Sequence, residues 1–385
     1  MQVKFVDSIE QIGLEQWNQV AGTRYPFTRY EFLHALEASG ATNKKSGWQP
    51  HHLVIHDPNT DQIAALMPLY LKYHSYGEYV FDWSWADAYA RHNIEYYPKF
   101  VNTIPFTPAT GPRLCIKSGG DEDSLYAMVI SSLIQEAETL GVSSIHVLFP
   151  TPPISERLQQ LGLNRRRGVQ YHWYNENFAN FDDFLSTFSS RKRKNLNKER
   201  KRVTEQNLRL EVFEGADIAP ETWQRFYYFY QLTYAKRSGH GGYLDQRFFE
   251  MIGASMSENL VLVLAYDQNR DNEIVAGALN FRDDKTLYGR YWGCLAEYDF
   301  LHFETCYYQG IEYCIEHNLQ RFDPGAQGEH KIQRGFTPTE TWSNHWIAHP
   351  EFSAAIDDFL LQDNQSVAAY IDEAKTLLPF KKADQ

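Results

Sequence analysis

"IQEAETLGVSSIH" at residues 134–146 and "IEYCIEHNLQRFD" at residues 311–323 are one short plan written twice. With a constant offset of 177, Ile134 aligns with Ile311, Ala137 with Cys314, Gly141 with Asn318 and Ile145 with Phe322. Each stretch predicts an amphipathic helix, a left-handed Gly or Asn after its last turn, and then a short strand. The match continues downstream. "ERLQQLGLNRRRGVQYHW" (156–173) aligns with "EHKIQRGFTPTETWSNHW" (329–346), pairing Gly162-Leu163 with Gly335-Phe336 and His172-Trp173 with His345-Trp346. Upstream, "HDPNTDQIAALMPLYL" (56–71) resembles "YDQNRDNEIVAGALNF" (266–281), and both read as strand, polar turn, strand. The larger offset of this last pair implies an aromatic- and proline-rich insertion in the first copy, near 83–120.

Three matches in one order indicate an internal duplication. Strands and helices interleave, so the expected class is α/β (α+β): two tandem lobes with mixed sheets. The first lobe is expected over 1–178 and the second over 179–385. A basic helix over about 181–206 links them, and one or two amphipathic helices occupy 351–379.

Composition narrows the class of function. The chain has 385 residues, 43% hydrophobic and 22% charged, which is globular composition for about two domains. A net charge of −12 argues against a general nucleic-acid coat. No apolar run approaches the ~20 residues of a membrane span, and "MQVKFVDSIEQIG" shows no apolar signal core. Four cysteines without C-x-x-C spacing, and histidines without H-E-x-x-H, predict no metal site and a reducing, cytoplasmic setting.

The two copies differ where chemistry is expected. "FDPGAQGEHKIQRGF" (322–336) places Asp323, His330, Lys331 and Arg334 where the first copy has His146, Arg157, Leu158 and Leu161. Gly325 and Gly328 let backbone approach a ligand, and free N–H groups at a helix start at 329 favour an anion or oxyanion. On that helix Lys331 and Arg334 share a face. Around it, "YGRYWG" (288–293) and "HFETCYYQGIEYCIEH" (302–317) offer Tyr288, Arg290 and Glu304. Arg290 with Glu304 and Asp323 either lines a groove or forms a cross-strand ion pair. Gln327 and Glu329 complete the substrate-binding candidates. "SSRKRKNLNKERKRV" (189–203) concentrates positive charge in an otherwise acidic chain. It is either a solvated helix face or a phosphate grip through Arg191, Arg193, Lys194, Lys198 and Arg200. "RSGHGGYLDQRFF" (237–249) matches no nucleotide-binding fingerprint, and no G-x-S-x-G elbow or other evident nucleophile is present.

"YVFDWSWADAYARHNIEYYPKFVNTIPFTPATGPRL", "HFETCYYQGIEYCIEHNLQRFDPGAQGEHKIQRGF" and "SNHWIAHPEF" resemble the FemAB-like predicted N-acyltransferases, also labelled peptidoglycan biosynthesis/recognition proteins and placed with GNAT-fold enzymes. The resemblance spans about residues 3–382. It implies two GNAT-like lobes and transfer of an acyl or aminoacyl group to an amine of a peptide or cell-wall-precursor-like acceptor. The donor would be an activated ester or thioester: aminoacyl-tRNA, acyl-CoA or an acyl carrier protein, with no tightly bound cofactor. Fem-type enzymes carry an Arg/Lys-rich segment at the start of the second lobe, which "RKRKNLNKERKRV" resembles. They also carry a late F-K-x-x-F-like motif, which "HKIQRGF" approximates through Lys331 and Phe336, with His330 in place of the aromatic. The [RQ]-x-x-G-x-[GA] cofactor loop of GNAT acetyltransferases has no clean copy, since Arg290…Gly293-Cys-Leu295 lacks the final small residue. Under this reading Lys331 stabilises the oxyanion or leaving group. Asp323 orients or deprotonates the amine, with His330 as the alternative base. Arg290 and Arg334 hold substrate phosphate or carboxylate. Two rivals remain: a non-catalytic ligand-recognition protein on the same scaffold, and an acetyl-CoA-dependent N-acetyltransferase. Oligomeric state stays open.

Overall fold

The computed structural model describes residues 1–60, 62–239, 241–326 and 328–381. The chain forms two compact units. The first comprises Met1–Val169 with Glu340–Ile371, and the second Gln170–Thr339 with the segment from Asp372 onward. The strands Asn164–Tyr174 and Thr337–Ile347 therefore each begin in one unit and end in the other.

In the first unit, Gln2–Val6, His52–Asp57, Gln62–Met67 and Cys115–Ile116 form an antiparallel sheet in that order. A second sheet starts with Ser343–Ile347 of the late strand, antiparallel to Ser144–Leu148. The latter lies parallel to Lys99–Asn102, followed by Tyr70–Lys72 and Trp48–Pro50. The helix Glu122–Leu140 buries Val129, Leu133 and Ala137 against Ile145 and Val147. The spacing of 129, 133 and 137 gives that helix its apolar stripe.

In the second unit, Leu208–Glu214, Leu260–Asp267, Glu273–Arg282 and Thr286–Cys294 run antiparallel. Arg321–Asp323 joins parallel to Thr286–Tyr288, with Trp173 and Tyr174 on its far side. The helix Pro220–Ser238 starts on a first-turn proline and ends at left-handed Gly239. It crosses the sheet at Gly293, where an added Cβ would lie 2.2 Å from the Phe229 carbonyl carbon. Only glycine allows that approach.

The matched sequence stretches fold alike. Gly141 (φ 67°) and Asn318 (φ 53°) both take the left-handed conformation between helix and strand, as do Gly162 (φ 93°) and Gly335 (φ 86°). The two hairpins share a register shift at the same place, between Ile55 and His56 and between Ala265 and Tyr266. The insertion holds a helix, Trp83–Arg91, and the strands Lys99–Asn102 and Cys115–Ile116.

Two expectations change and one is narrowed. The basic helix is two helices, Phe181–Ser186 and Ser190–Glu205, because Phe188 turns inward between them to pair with Phe380. The C-terminal segment is one helix, Pro350–Thr376. The contrast between a charged second copy and an apolar first one is incomplete. The first unit buries an ionic cluster in which Lys99 donates to Glu78 at 2.8 Å and to Asp82, with Lys72 3.9 Å from Glu78. At the position matching Asp323, His146 Nδ1 lies 2.6 Å from His345 Nδ1, one ring donating to the other.

Candidate functional site

Asp323 ends its strand wholly buried. Arg290 Nη2 donates to its Oδ2 at 2.7 Å, Arg290 Nη1 to Oδ1 at 3.3 Å, and the Gly325 N–H to Oδ1 at 2.9 Å. Burial pushes this carboxyl up. The paired guanidinium, buried His172 with Nε2 3.7 Å away, and the Gly325 N–H outweigh burial and hold it well below the usual carboxylate range. The pairing depends on a β-bulge. Leu279 faces Tyr291 and Asn280 faces Gly289, so Arg290 is the extra residue, and its side chain is re-aimed toward Asp323.

Beyond Asp323 the chain turns through Gly325 (φ 89°) and Gly328 (φ 104°) into a 3-10 helix, Glu329–Arg334. Lys331 points back from it and Nζ donates to the Gly325 carbonyl at 2.7 Å. Burial above all, opposed by Asp323 and aided by Arg290, pushes the Lys331 ammonium down to about 8. A lysine tuned near neutrality in a cavity wall is a mark of a working site. His330 Nε2 lies 2.9 Å from the Tyr307 hydroxyl, and its ring is pushed down to about 4 by desolvation and by neighbouring cations, Lys331 first among them.

The third wall is the helical stretch 301–316, interrupted by a π turn at Glu304–Tyr308. Such turns rotate side chains out of the α-helical register and recur at functional sites. Here Cys306 and Tyr307 face a cavity of about 370 Å³ whose wall also holds Arg290, Lys331 and His330. A second cavity of about 610 Å³ shares Thr233, Arg237, Trp292 and His302 with it and runs toward Lys236 and Leu295. Both lie within the second unit. Among the described residues no group of three or more His, Cys, Asp and Glu side chains could hold a metal ion. Among the described residues, too, no helix is long and apolar enough to cross a membrane.

The structure thus brings Lys331, His330, Arg290 and Asp323 together and places other expected residues elsewhere. Glu304 turns away from the cavity. Arg200 donates four hydrogen bonds, two to Glu304 and two to Glu312, so neither Glu304 as groove lining nor Arg200 as phosphate grip is what the structure shows. Arg334 stacks 3.4 Å from the centre of the Phe303 ring and donates to Glu199 at 2.8 and 2.9 Å. It does not line the cavity with Lys331. The Tyr288 hydroxyl donates to Asp283 at 2.8 Å. Glu329 is exposed, and Gln327 lies outside the described residues. Arg191, Lys194 and Lys198 are exposed and Arg193 half-buried. Tyr307, Cys306, His302 and Trp292 also line the cavity, and nothing in the residue types of "YGRYWG" and "HFETCYY" marks them for it. A π turn and a bulge leave no residue-type mark.

The fold is that of tandem GNAT-like lobes. Its backbone matches the structure of FemX at 12% identity, over 93% of this chain and 100% of that one, with a TM-score of 0.53. It also matches the C-terminal domain of a putative lysylphosphatidylglycerol synthetase from Agrobacterium fabrum (10% identity, 90% and 96% covered, TM-score 0.53). A conserved protein of unknown function from Bacteroides thetaiotaomicron matches at 12% identity, with 89% and 99% covered and a TM-score of 0.51. No curated protein sequence matches the chain. The chain belongs to the FemAB-like family, described as peptidoglycan biosynthesis/recognition, whose pattern covers residues 8–382.

Proposed function

We propose that the protein is an N-acyltransferase that moves an acyl or aminoacyl group from an activated ester or thioester to an amine. The observation that carries this reading is Lys331, a buried lysine near pKa 8 in the wall of a cavity flanked by a β-bulge and a π turn. Attack of an amine on an acyl ester forms a C–N bond and breaks a C–O or C–S bond. The nitrogen must lose a proton and the leaving group must gain one. A lysine with pKa near the working pH does both, taking the proton as a neutral amine and returning it as an ammonium. Its charged form also stabilises the developing oxyanion. Arg290 and Asp323 hold the loop that supplies Gly325, so they position Lys331 rather than exchange protons. A carboxyl held so far down is a weak base. Arg237, which makes no hydrogen bond or ion pair among the described residues, and Lys236 beside it fit a phosphate-bearing donor in the second cavity. Family membership favours a cell-wall-type peptide acceptor, and aminoacyl-tRNA and acyl-CoA are the donors to try first.

The test is donor consumption on mixing the protein with aminoacyl-tRNA, acyl-CoA or acyl carrier protein and candidate amines. Consumption that requires the acceptor, and falls about 10²–10³-fold in Lys331→Ala, supports transfer. Turnover within a few-fold of wild type in that variant removes the role given to Lys331. Binding without any consumption removes the enzyme reading.

A further inference from the structure

The smaller cavity is short of negative charge. None of its described lining residues is an acid. Behind the wall, Asp323 already accepts from Arg290 and from the Gly325 N–H. Among the described residues, the only acid lining the adjoining cavity is Glu297, which is paired with Lys236. Arg237 and Lys331 add positive charge. An ammonium ion entering here would be repelled and would find no counter-charge, whereas a neutral amine meets neither penalty.

His302 sits where the two cavities share a wall. Its ring is fixed edge-on against Trp292 and Tyr307, both at 5.3 Å between centroids, with His330 at 6.2 Å. Among the described residues neither ring nitrogen has a hydrogen-bond partner. Its ring nitrogens open onto the cavity space, where a bound group can reach them. The charged and titratable groups around it are His330, Lys331 and Arg334 from the 329–334 helix and Arg237 from the 220–238 helix. Burial first, and those groups after it, keep the ring neutral, pushing it down to about 3. It can therefore accept a hydrogen bond from an amine N–H.

We infer that the acceptor is a weakly basic amine, of the peptide or amino-acid α-amino class, bound in its neutral form with an N–H donated to His302. This rests on the proposed transfer reaction. An α-amino group has pKa about 7.7–8.0 and a lysine ε-amino group about 10.4. At pH 7.5 the neutral fractions are roughly a third and a thousandth, so the site discriminates by about two orders of magnitude.

The experiment titrates the wild-type protein at pH 7.5 with alanyl-alanine, N-acetyl-alanyl-alanine and Nα-acetyl-lysine, following the histidine ring signals by NMR. Alanyl-alanine is expected to shift the His302 signals and to bind at least tenfold tighter than either other probe. His302→Gln should retain part of this affinity and His302→Phe should lose it by tenfold or more. Equal or tighter binding of Nα-acetyl-lysine, no shift at His302 with any probe, or unchanged affinity in His302→Phe overturns the inference. The comparison of probes on wild-type protein stands even if a variant fails to fold. Binding is read without a donor, so a failed transfer assay would remove the enzyme reading while leaving this result intact.

Discussion

Lys331→Met should make the protein more stable at neutral pH. The reasoning is linkage. Burial holds the Lys331 ammonium down to about 8 in the folded state, against an ordinary value of 10.5. At roughly 1.36 kcal/mol per unit, folding at pH 7 carries a penalty of about 3 kcal/mol for this ammonium. Methionine removes the penalty but also the bond from Nζ to the Gly325 carbonyl, a charge-assisted contact worth about 1.5–3 kcal/mol. Gly325 is only half-buried, so water recovers part of that loss. The net expectation is a gain of about 1–2 kcal/mol, or a few degrees in Tm. The pH dependence is the sharper signature. A lysine whose folded pKa lies below its unfolded value destabilises fully below the folded pKa, and the effect fades as pH rises from 8 to 10.5. By pH 10 the penalty in the wild type should be about 1 kcal/mol. Denaturant titrations of wild type and variant at pH 7, 8.5 and 10 measure this. A variant less stable than wild type at pH 7 by more than 1 kcal/mol, or a difference that stays constant with pH, would refute the tuned-lysine argument.

Asp323→Asn leaves Arg290 buried without its counter-charge and should cost about 3–5 kcal/mol. It should also move the Lys331 titration further below 8, since Asp323 is the foremost of the groups that raise it; a titration that stays put, followed by NMR of its ε-carbon, uncouples the two. Gly293→Ala drives a Cβ into the Phe229 backbone, and a loss of less than 1 kcal/mol in chemical unfolding would mean that helix and sheet separate more readily than their spacing implies. If the donor is an RNA held by the basic helix, the double variant Lys194→Ala, Lys198→Ala should weaken its binding and flatten the salt dependence by about two counterions. Arg200→Met should act on stability instead, through unpaired Glu304. Filter binding across a salt series separates the two outcomes.

What could be read from the sequence was periodic. The repeated helix, left-handed cap and strand at 134–146 and 311–323 depend on i, i+3 and i+4 spacing and on residues that tolerate positive φ, and both survive in the folded chain. Asp323 and Lys331 were legible because charge appears where the other copy has His146 and Leu158. The rest depends on tertiary geometry. Nothing in "RYW" marks Arg290 as the bulged residue, and nothing in "ETCYY" announces a π turn that sends Glu304 one way and Tyr307 the other. Arg200 and its basic neighbours are alike in composition. Only packing shows that it is tied to buried Glu304 and to Glu312. In the first unit Glu78 and Asp82 precede the Trp83–Arg91 helix and their partner Lys99 opens the strand after it, so the pairing is set by the fold and not by local spacing.

The path of the chain has a consequence for biosynthesis. The Ser144–Leu148 strand waits for Ser343–Ile347, its antiparallel neighbour, which leaves the ribosome about two hundred residues later. The N-terminal unit therefore cannot close before nearly the entire polypeptide has emerged, and until then it presents an open sheet edge of the kind that invites mispairing. A fragment ending at residue 178 would carry that raw edge permanently. A contiguous piece that holds the whole first unit runs through residue 371, so no single cut of the chain separates the two units.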